Sequence, residues 1–169
     1  SSETRDKLIR SGIQIVCLER TTADRTACVD FDAAALADAA YLQLKGKGCH
    51  RVTIISGLML HRNETAFVHG LTSLAEQDGI LVRALQTDTP TATIAAFTAA
   101  TDEQKPDAIV TTSIAYARQV ASVLAFRGEE DRPLLLSLSP SAILPAGDGI
   151  LRVSLNWKRA TQTACRMVL

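Results

Sequence analysis

The stretch SGLMLHRNETAFVHG, residues 56–70, places a run of polar side chains behind an apolar segment. These side chains belong to His61, Arg62, Asn63, Glu64 and Thr65. Histidine and glutamate serve as general acids and bases, arginine binds anions, and a loop that opens on glycine can approach a phosphate closely. The residue types alone therefore allow a catalytic site, a phosphate loop or one wall of a ligand cleft.

The motifs that would support the first two interpretations are absent from the sequence. A phosphate loop of the GxxxxGK[ST] type and a GxGxxG fingerprint do not occur, and neither does a GxSxG nucleophile elbow or a metal-binding HExxH. His50 and His69 have the contexts of ordinary histidines, whereas His61 follows a predicted strand and is a candidate ligand contact. We expect no enzyme activity, no cofactor and no dedicated metal site.

Polar residues follow several of the predicted strands. Because the carboxyl ends of parallel strands meet at one edge of a sheet, such residues come together where open α/β sheets bind small molecules. The alternative is that they are loop residues with no shared role. The set is Glu19, Arg20, Asn63, Thr65, Ser113, Ser139 and Asn156.

Strand-like and helix-like patterns alternate along the chain, which predicts a parallel sheet covered on both faces, a three-layer α/β/α doubly wound fold. Asp32 is a predicted N-cap for the second helix, and Gly46 or Gly48 is predicted to close it. The expected strands are 13–18, 51–56, 80–85, 107–112, 133–138 and 150–155. The expected helices are 3–11, 33–47, 64–78, 91–103, 115–127 and 158–169, with Asn63 before the third helix, Gly79 after it and Gly128 after the fifth.

Composition limits the classes of function. The 169 residues carry 18 basic and 18 acidic side chains and are 47% hydrophobic, which suits one globular domain and gives no basic surface for nucleic acid. No apolar run approaches the roughly 20 residues needed to span a bilayer, and residues 1–8 lack a secretory pattern. We therefore expect a cytoplasmic protein, and we interpret Cys17, Cys28, Cys49 and Cys165 as reduced structural thiols.

An ordered series of segments resembles the effector-binding domain of LacI/GalR-family (lac repressor-type) transcriptional regulators. GIQIVCLER (12–20) resembles the family's GIPVVLVDR, and KGKGCHRVTIISG (45–57) its GHRRIAxIxG. PDAIVTTSIAYARQ (106–119) is similar to PDAIFxxNDxxAxG, and residues 133–141 and 150–165 fall where the family has ISVVGFDD and LTTVRQPxxxMGxxAA. The resemblance covers nearly the whole chain in the correct order.

The resemblance implies a periplasmic-binding-protein-like fold of two lobes. Residues 1–31 would belong to the amino-terminal lobe, 32–156 would form the carboxyl-terminal lobe, and 157–169 would return to the first lobe. The DNA-binding domain would lie outside this chain, and strand 13–18 would lack its usual neighbours, which invites pairing with another chain.

By the same resemblance, a set of positions would contact the effector. The family's arginine before the helix glycine is here Phe67, its Asn-Asp pair is Ser113-Ile114, and an aspartate is Ser139. These exchanges predict either a smaller or more apolar effector than a common sugar, or a pocket that binds none; Phe67 has a core position as its alternative role. The predicted contacts are Glu19, Phe31, Arg62, Asn63, Thr65, Phe67, Ser113, Ser139 and Asn156.

The leading hypothesis is thus an effector-sensing domain of a transcriptional regulator, which binds a small molecule between its lobes and relays this to operator DNA through the absent domain. A homodimer is expected, with helix 115–127 and loop 140–148 as contacts, including Pro140, Ile143, Leu144 and Pro145. The alternative is a solute-binding protein of a transport system with the same fold.

Overall fold

The computed structural model describes residues 2–18, 27–57, 62–87, 89, 92, 97, 105–126, 132–140 and 149–168. The described chain folds into five helices and seven strands. The helices are α1 (Ser2–Arg10), α2 (Ala33–Gly46), α3 (Arg62–Gln77), α4 (Ile114–Leu124) and α5 (Trp157–Val168). The strands are β1 (Val16–Leu18), β2 (Ala27–Val29), β3 (Arg51–Ser56), β4 (Leu81–Gln86), β5 (Ala108–Thr111), β6 (Leu134–Pro140) and β7 (Ile150–Leu155).

Five strands form one parallel sheet in the order β4-β3-β5-β6-β7. From β3 the chain first adds β4 on one side and then crosses to add β5 on the other. The carboxyl ends of β3 and β5 therefore flank the topological switch point, where open α/β sheets form a crevice. The inner strands β3 and β5 are apolar and buried, while the edge strand β4 is largely exposed, as its outer position requires.

Two apolar clusters cover the two faces of this sheet, which gives the predicted three layers. One joins α2 and α3 to alternate residues of the sheet, among them Ile54, Val110 and Leu136. The other joins α4 and Phe97 to the intervening residues, among them Ile55, Ile109 and Leu135. Neighbouring residues of a strand point to opposite faces, so each inner strand supplies both clusters.

Helix boundaries follow the local signals of the sequence. The side chain of Asp32 accepts hydrogen bonds from the amides of Ala34 and Ala35 at 3.1 and 3.0 Å, as predicted for an N-cap. Gly48 and Gly79 have positive φ after α2 and α3, a conformation that favours glycine. Asn63 lies inside the first turn of α3 rather than before it, since the helix begins at Arg62, and Gly128 lies outside the described residues.

The amino-terminal part departs most from the predictions. Strand 13–18 is shortened to Val16–Leu18, and it has β2 as a parallel neighbour, a strand that was not predicted. Helix α5 packs against both strands of this small sheet. A three-residue strand is too short to show a periodic pattern of apolar residues, which explains why β2 could not be predicted. Of the predicted helix 91–103, Ala92 and Phe97 are described, and both are helical.

Candidate functional site

The carboxyl edge of the five-stranded sheet is held together by one carboxylate at the switch point. Glu64, in the first turn of α3, accepts a hydrogen bond from the amide of Gly57 at 3.1 Å through Oε1. The same oxygen accepts a short hydrogen bond from the hydroxyl of Thr112, just after β5. Glu64 thus joins the ends of β3 and β5 to α3, and its charge lies favourably at a helix amino terminus.

Gly57 leaves room for the close approach of two side chains. A Cβ at this position would lie 3.1 Å from the hydroxyl of Tyr116 and 3.6 Å from Oε1 of Glu64. The carbonyl of Ser56 and that of Ile55 accept the amides of Thr87 and Thr112 at 2.9 and 3.1 Å. These bonds extend the hydrogen-bond ladder past the ends of the strands, so they hold the backbone of this edge in place.

Three polar atoms at this edge are buried and have no hydrogen-bond partner among the residues that the structure describes. They are the hydroxyl oxygens of Ser56 and Ser139 and the side-chain nitrogen of Asn63. Ser56 and Ser139 are both 0% exposed. Because an unsatisfied buried polar group costs about 1–3 kcal/mol, such groups indicate a place where a bound molecule can supply the missing partner.

Ser113 and Asn156, two of the predicted contacts, cap helices. The hydroxyl of Ser113 accepts the amide of Ala115 at 3.2 Å at the start of α4. Oδ1 of Asn156 accepts the amide of Arg159 at 3.0 Å at the start of α5. These capping roles show why polar residues follow strands β5 and β7.

The remaining predicted residues fall into different environments. Phe67 is 0% exposed and belongs to the cluster under α2 and α3. Phe31 is half-buried before α2, and Thr65 is half-buried in α3. Ser139 lies within β6, in register with Ser154, rather than in a loop after the strand. Glu19, Arg20, His61 and the side chain of Arg62 lie outside the described part of the chain.

In the sequence, Glu64 stands out only as a member of a polar cluster, and no pattern predicts a site role for Ser56, Gly57, Thr112 or Tyr116. Ser56 could be recognised in the sequence as the polar last residue of a predicted buried strand. The role of Glu64 depends on a contact across 48 positions of sequence, which no local pattern reports.

Within the described residues, no cluster of three His, Cys, Asp or Glu side chains could hold a metal ion. None of the described helices has the length and apolar character needed to cross a membrane.

The chain is similar to solved structures of transcriptional regulators and sugar-binding proteins. A LacI family transcriptional regulator from Bifidobacterium animalis subsp. lactis has 18% identity and a TM-score of 0.79, with 99% of this chain and 74% of that chain covered. The Cra transcriptional dual regulator from Pseudomonas putida, in complex with fructose 1-phosphate, has 17% identity and a TM-score of 0.79, with 98% and 64% covered. No family model and no curated protein sequence matches the chain.

GanP, a glucose-galactose binding protein from Geobacillus stearothermophilus, has 20% identity and a TM-score of 0.74, with 96% of this chain and 62% of that chain covered. The chain therefore spans about two thirds of the length of these structures. The comparisons confirm the predicted fold, which this chain shares with LacI-family regulators.

Proposed function

We propose that the chain is the effector-binding part of a LacI-type transcriptional regulator and that its small-molecule effector binds at the carboxyl edge of the five-stranded sheet. One observation carries this proposal: the buried polar atoms of Ser56, Asn63 and Ser139, which have no hydrogen-bond partner in the described part of the chain, lie at the edge of a fold shared with regulators, one of which was solved with fructose 1-phosphate. In this fold type the crevice at the switch point is the expected binding place.

The chemistry of the edge favours a small polar ligand that both donates and accepts hydrogen bonds. Hydroxyl groups can do both, and the amide nitrogen of Asn63 donates. In this proposal Asn63 and Ser139 contact the effector, Ser113 and Asn156 hold the helices beside it, and Phe67 forms the apolar floor. The full proposed set is Glu19, Phe31, Arg62, Asn63, Thr65, Phe67, Ser113, Ser139 and Asn156.

The signal would reach DNA through a shift between two arrangements of the lobes. Residues 1–31 and 157–169 would belong to one lobe and 32–156 to the other, and a separate DNA-binding segment would read the operator in the cytoplasm. Helix 115–127 and loop 140–148 would contact the partner in a homodimer, although residue 127 and residues 141–148 lie outside the described part of the chain. Phe126, at the end of that helix region, is 93% exposed, which suits a residue that a partner covers.

The similarity to GanP favours a second candidate, a sugar-binding protein of a transport system. The two functions differ in one measurable property. An effector should change the affinity of the full-length regulator for DNA, whereas a transport protein should bind its sugar with no effect on DNA. In both cases the protein is not an enzyme, and NMR should recover the ligand unchanged after incubation.

Ser139→Ala tests the site directly. Removal of a buried hydroxyl that has no hydrogen-bond partner among the described residues should leave the melting temperature unchanged or raise it, while ligand-induced stabilisation falls. The assay is a thermal-shift screen of sugars, sugar phosphates and nucleobases on wild type and variant.

Ser137→Ala, on the same strand, is the matched control. The hydroxyl of Ser137 is buried but donates to the carbonyl of Leu138 at 2.9 Å, so this variant should lower the melting temperature and keep the ligand-induced shift. The proposal fails if no compound in the screen stabilises the wild type.

A further inference from the structure

Cys17 and Cys28 lie directly opposite each other in the small sheet. The register of β1 and β2 pairs Val16 with Ala27, Cys17 with Cys28 and Leu18 with Val29. Adjacent strands in a sheet are about 4.8 Å apart, and cysteines in disulfides usually have Cα atoms about 4.4–6.8 Å apart. Residues paired in a parallel ladder point to the same face, so the backbone brings the two thiols within bonding range.

The surroundings of the pair allow a reagent to reach it. Both side chains are half-buried, and the thiol of Cys28 donates a hydrogen bond to Oδ1 of Asp30 at 3.6 Å. The formation of a disulfide would break this weak hydrogen bond.

The other two cysteines have different environments. Cys49 is 6% exposed in the cluster under α2 and α3, and burial, aided by the charge of Asp107, raises the pKa of its thiol. Cys165 is exposed on α5 and is outside the ladder that pairs Cys17 with Cys28. The register therefore distinguishes one pair among four cysteines.

We propose that Cys17 and Cys28 are a redox pair that a small disulfide oxidant, such as oxidised glutathione, converts into an intramolecular disulfide. One cysteine thiolate attacks the oxidant, which forms a mixed disulfide and releases one glutathione thiolate. The second cysteine thiolate then attacks the protein sulfur of that mixed disulfide and releases the second. Two protein thiols lose two electrons, the oxidant gains them, and the two thiol protons pass to the two glutathione molecules.

The disulfide would close a ring around residues 18–27, the segment that contains Glu19. A two-stranded sheet is only marginally stable by itself, and a bond across it restricts the opening of the strands. This inference does not depend on the proposed effector function, because its readout is chemical.

The test is a mass-spectrometric map of the cross-link. The protein is incubated with oxidised glutathione, denatured, treated with N-ethylmaleimide and digested with trypsin, which cuts after Arg10, Arg20, Arg25 and Lys45. We expect peptide 11–20 joined to peptide 26–45, and alkylation of Cys49 and Cys165 alone. Reduction before the N-ethylmaleimide treatment should restore four alkylated cysteines.

Cys28→Ser should abolish the cross-linked peptide, and Cys165→Ser should leave it unchanged. Alkylation of all four cysteines after oxidation would overturn the inference. It would also be overturned by glutathione attached to Cys17 and Cys28 without a cross-link, or by peptide 11–20 joined to the peptide that contains Cys165.

Discussion

Phe67 fills the space beneath α3 at the position where the resembled family has an arginine. Its side chain is fully buried in the same cluster as Ala37, Leu71 and Ile54. A guanidinium at this place would be an unpaired charge in an apolar core, which is costly. Phenylalanine in place of arginine therefore changes both the core under the candidate site and the polarity of that position.

Phe67→Ala should lower the free energy of unfolding by about 3–5 kcal/mol, because it removes a large buried side chain and leaves a cavity. Phe67→Leu should cost less, about 1.5 kcal/mol or below. His69→Ala, at an exposed position of the same helix, is the control and should change stability little. Urea unfolding of the three variants measures these differences. A small loss in Phe67→Ala would contradict the assignment of this residue to the core.

Asp107 forms hydrogen bonds at the opposite, amino-terminal edge of the five-stranded sheet. These bonds make the free energy of unfolding depend on pH. Its Oδ2 accepts the amides of His50 and Arg51, both at 2.9 Å, and its Oδ1 accepts Nη2 of Arg51 at 3.0 Å. Burial alone would raise the pKa of Asp107, but these hydrogen bonds and the arginine charge outweigh burial and lower the pKa below 3.8. The folded state therefore binds this proton more weakly than the unfolded state.

Asp107→Asn should lower the free energy of unfolding by about 1–3 kcal/mol at pH 7, since it removes hydrogen bonds to a charged acceptor. A lowered pKa stabilises the fold fully above the unfolded pKa, so the difference from wild type should shrink as pH falls below about 3.8.

Asp78→Asn is the matched control for this prediction. Lys45 and Tyr41 hydrogen-bond to Asp78 and lower its pKa, but the group is exposed, so solvent screens the interaction. This variant should lose less stability than Asp107→Asn at pH 7. Equal losses, or a loss in Asp107→Asn that does not vary with pH, would contradict the assignment.

The cap residue Asp32 could be identified from sequence because a cap depends on neighbours two and three positions away. Residue types also indicated that polar groups collect after strands β5 and β7. They could not distinguish a ligand contact from a helix cap at Ser113 or Asn156, since one side chain can serve either purpose.

The packing of α2 against α3 depends on the absence of a side chain at Gly70. A Cβ there would lie 3.2 Å from the Cβ of Ala37. By contrast, a Cβ at Gly46, at the end of α2, would have no heavy atom of the described residues within 4 Å. A comparison of alanine substitutions at Gly70 and Gly46 therefore separates the effect of side-chain crowding from the effect of backbone freedom.

Gly70→Ala should be neutral or destabilising by up to about 1–3 kcal/mol, because crowding opposes the gain in helix propensity. Gly46→Ala should stabilise the protein by about 0.5–1 kcal/mol. Thermal unfolding of both variants measures the comparison, and a greater gain for Gly70→Ala than for Gly46→Ala would show that the helices are not in close contact there.

Long elements were predictable and short ones were not. Strands β3 and β7 begin and end where the apolar runs predicted, because buried strands of a parallel sheet are nearly continuous in apolar residues. Strand β2 has three residues, and its existence depends on pairing with β1 rather than on its own pattern.

At the scale of the whole molecule, the alternation of strands and helices predicted the layers of the fold. It did not give the strand order, because order depends on which edge each crossover takes. The order places the switch point between β3 and β5, and this placement explains why Thr112 meets Glu64 and Gly57 although it lies 48 positions from Glu64.

The central claim is that a small molecule binds at this carboxyl edge. The most direct measurement is a map of backbone amide chemical shifts on addition of the compound that gives the greatest stabilisation in the thermal-shift screen. If the compound binds there, the largest shifts should fall at Ser56, Gly57, Thr112 and Ser139 and saturate with concentration. Shifts confined to the opposite edge, around Arg51 and Asp107, would contradict it.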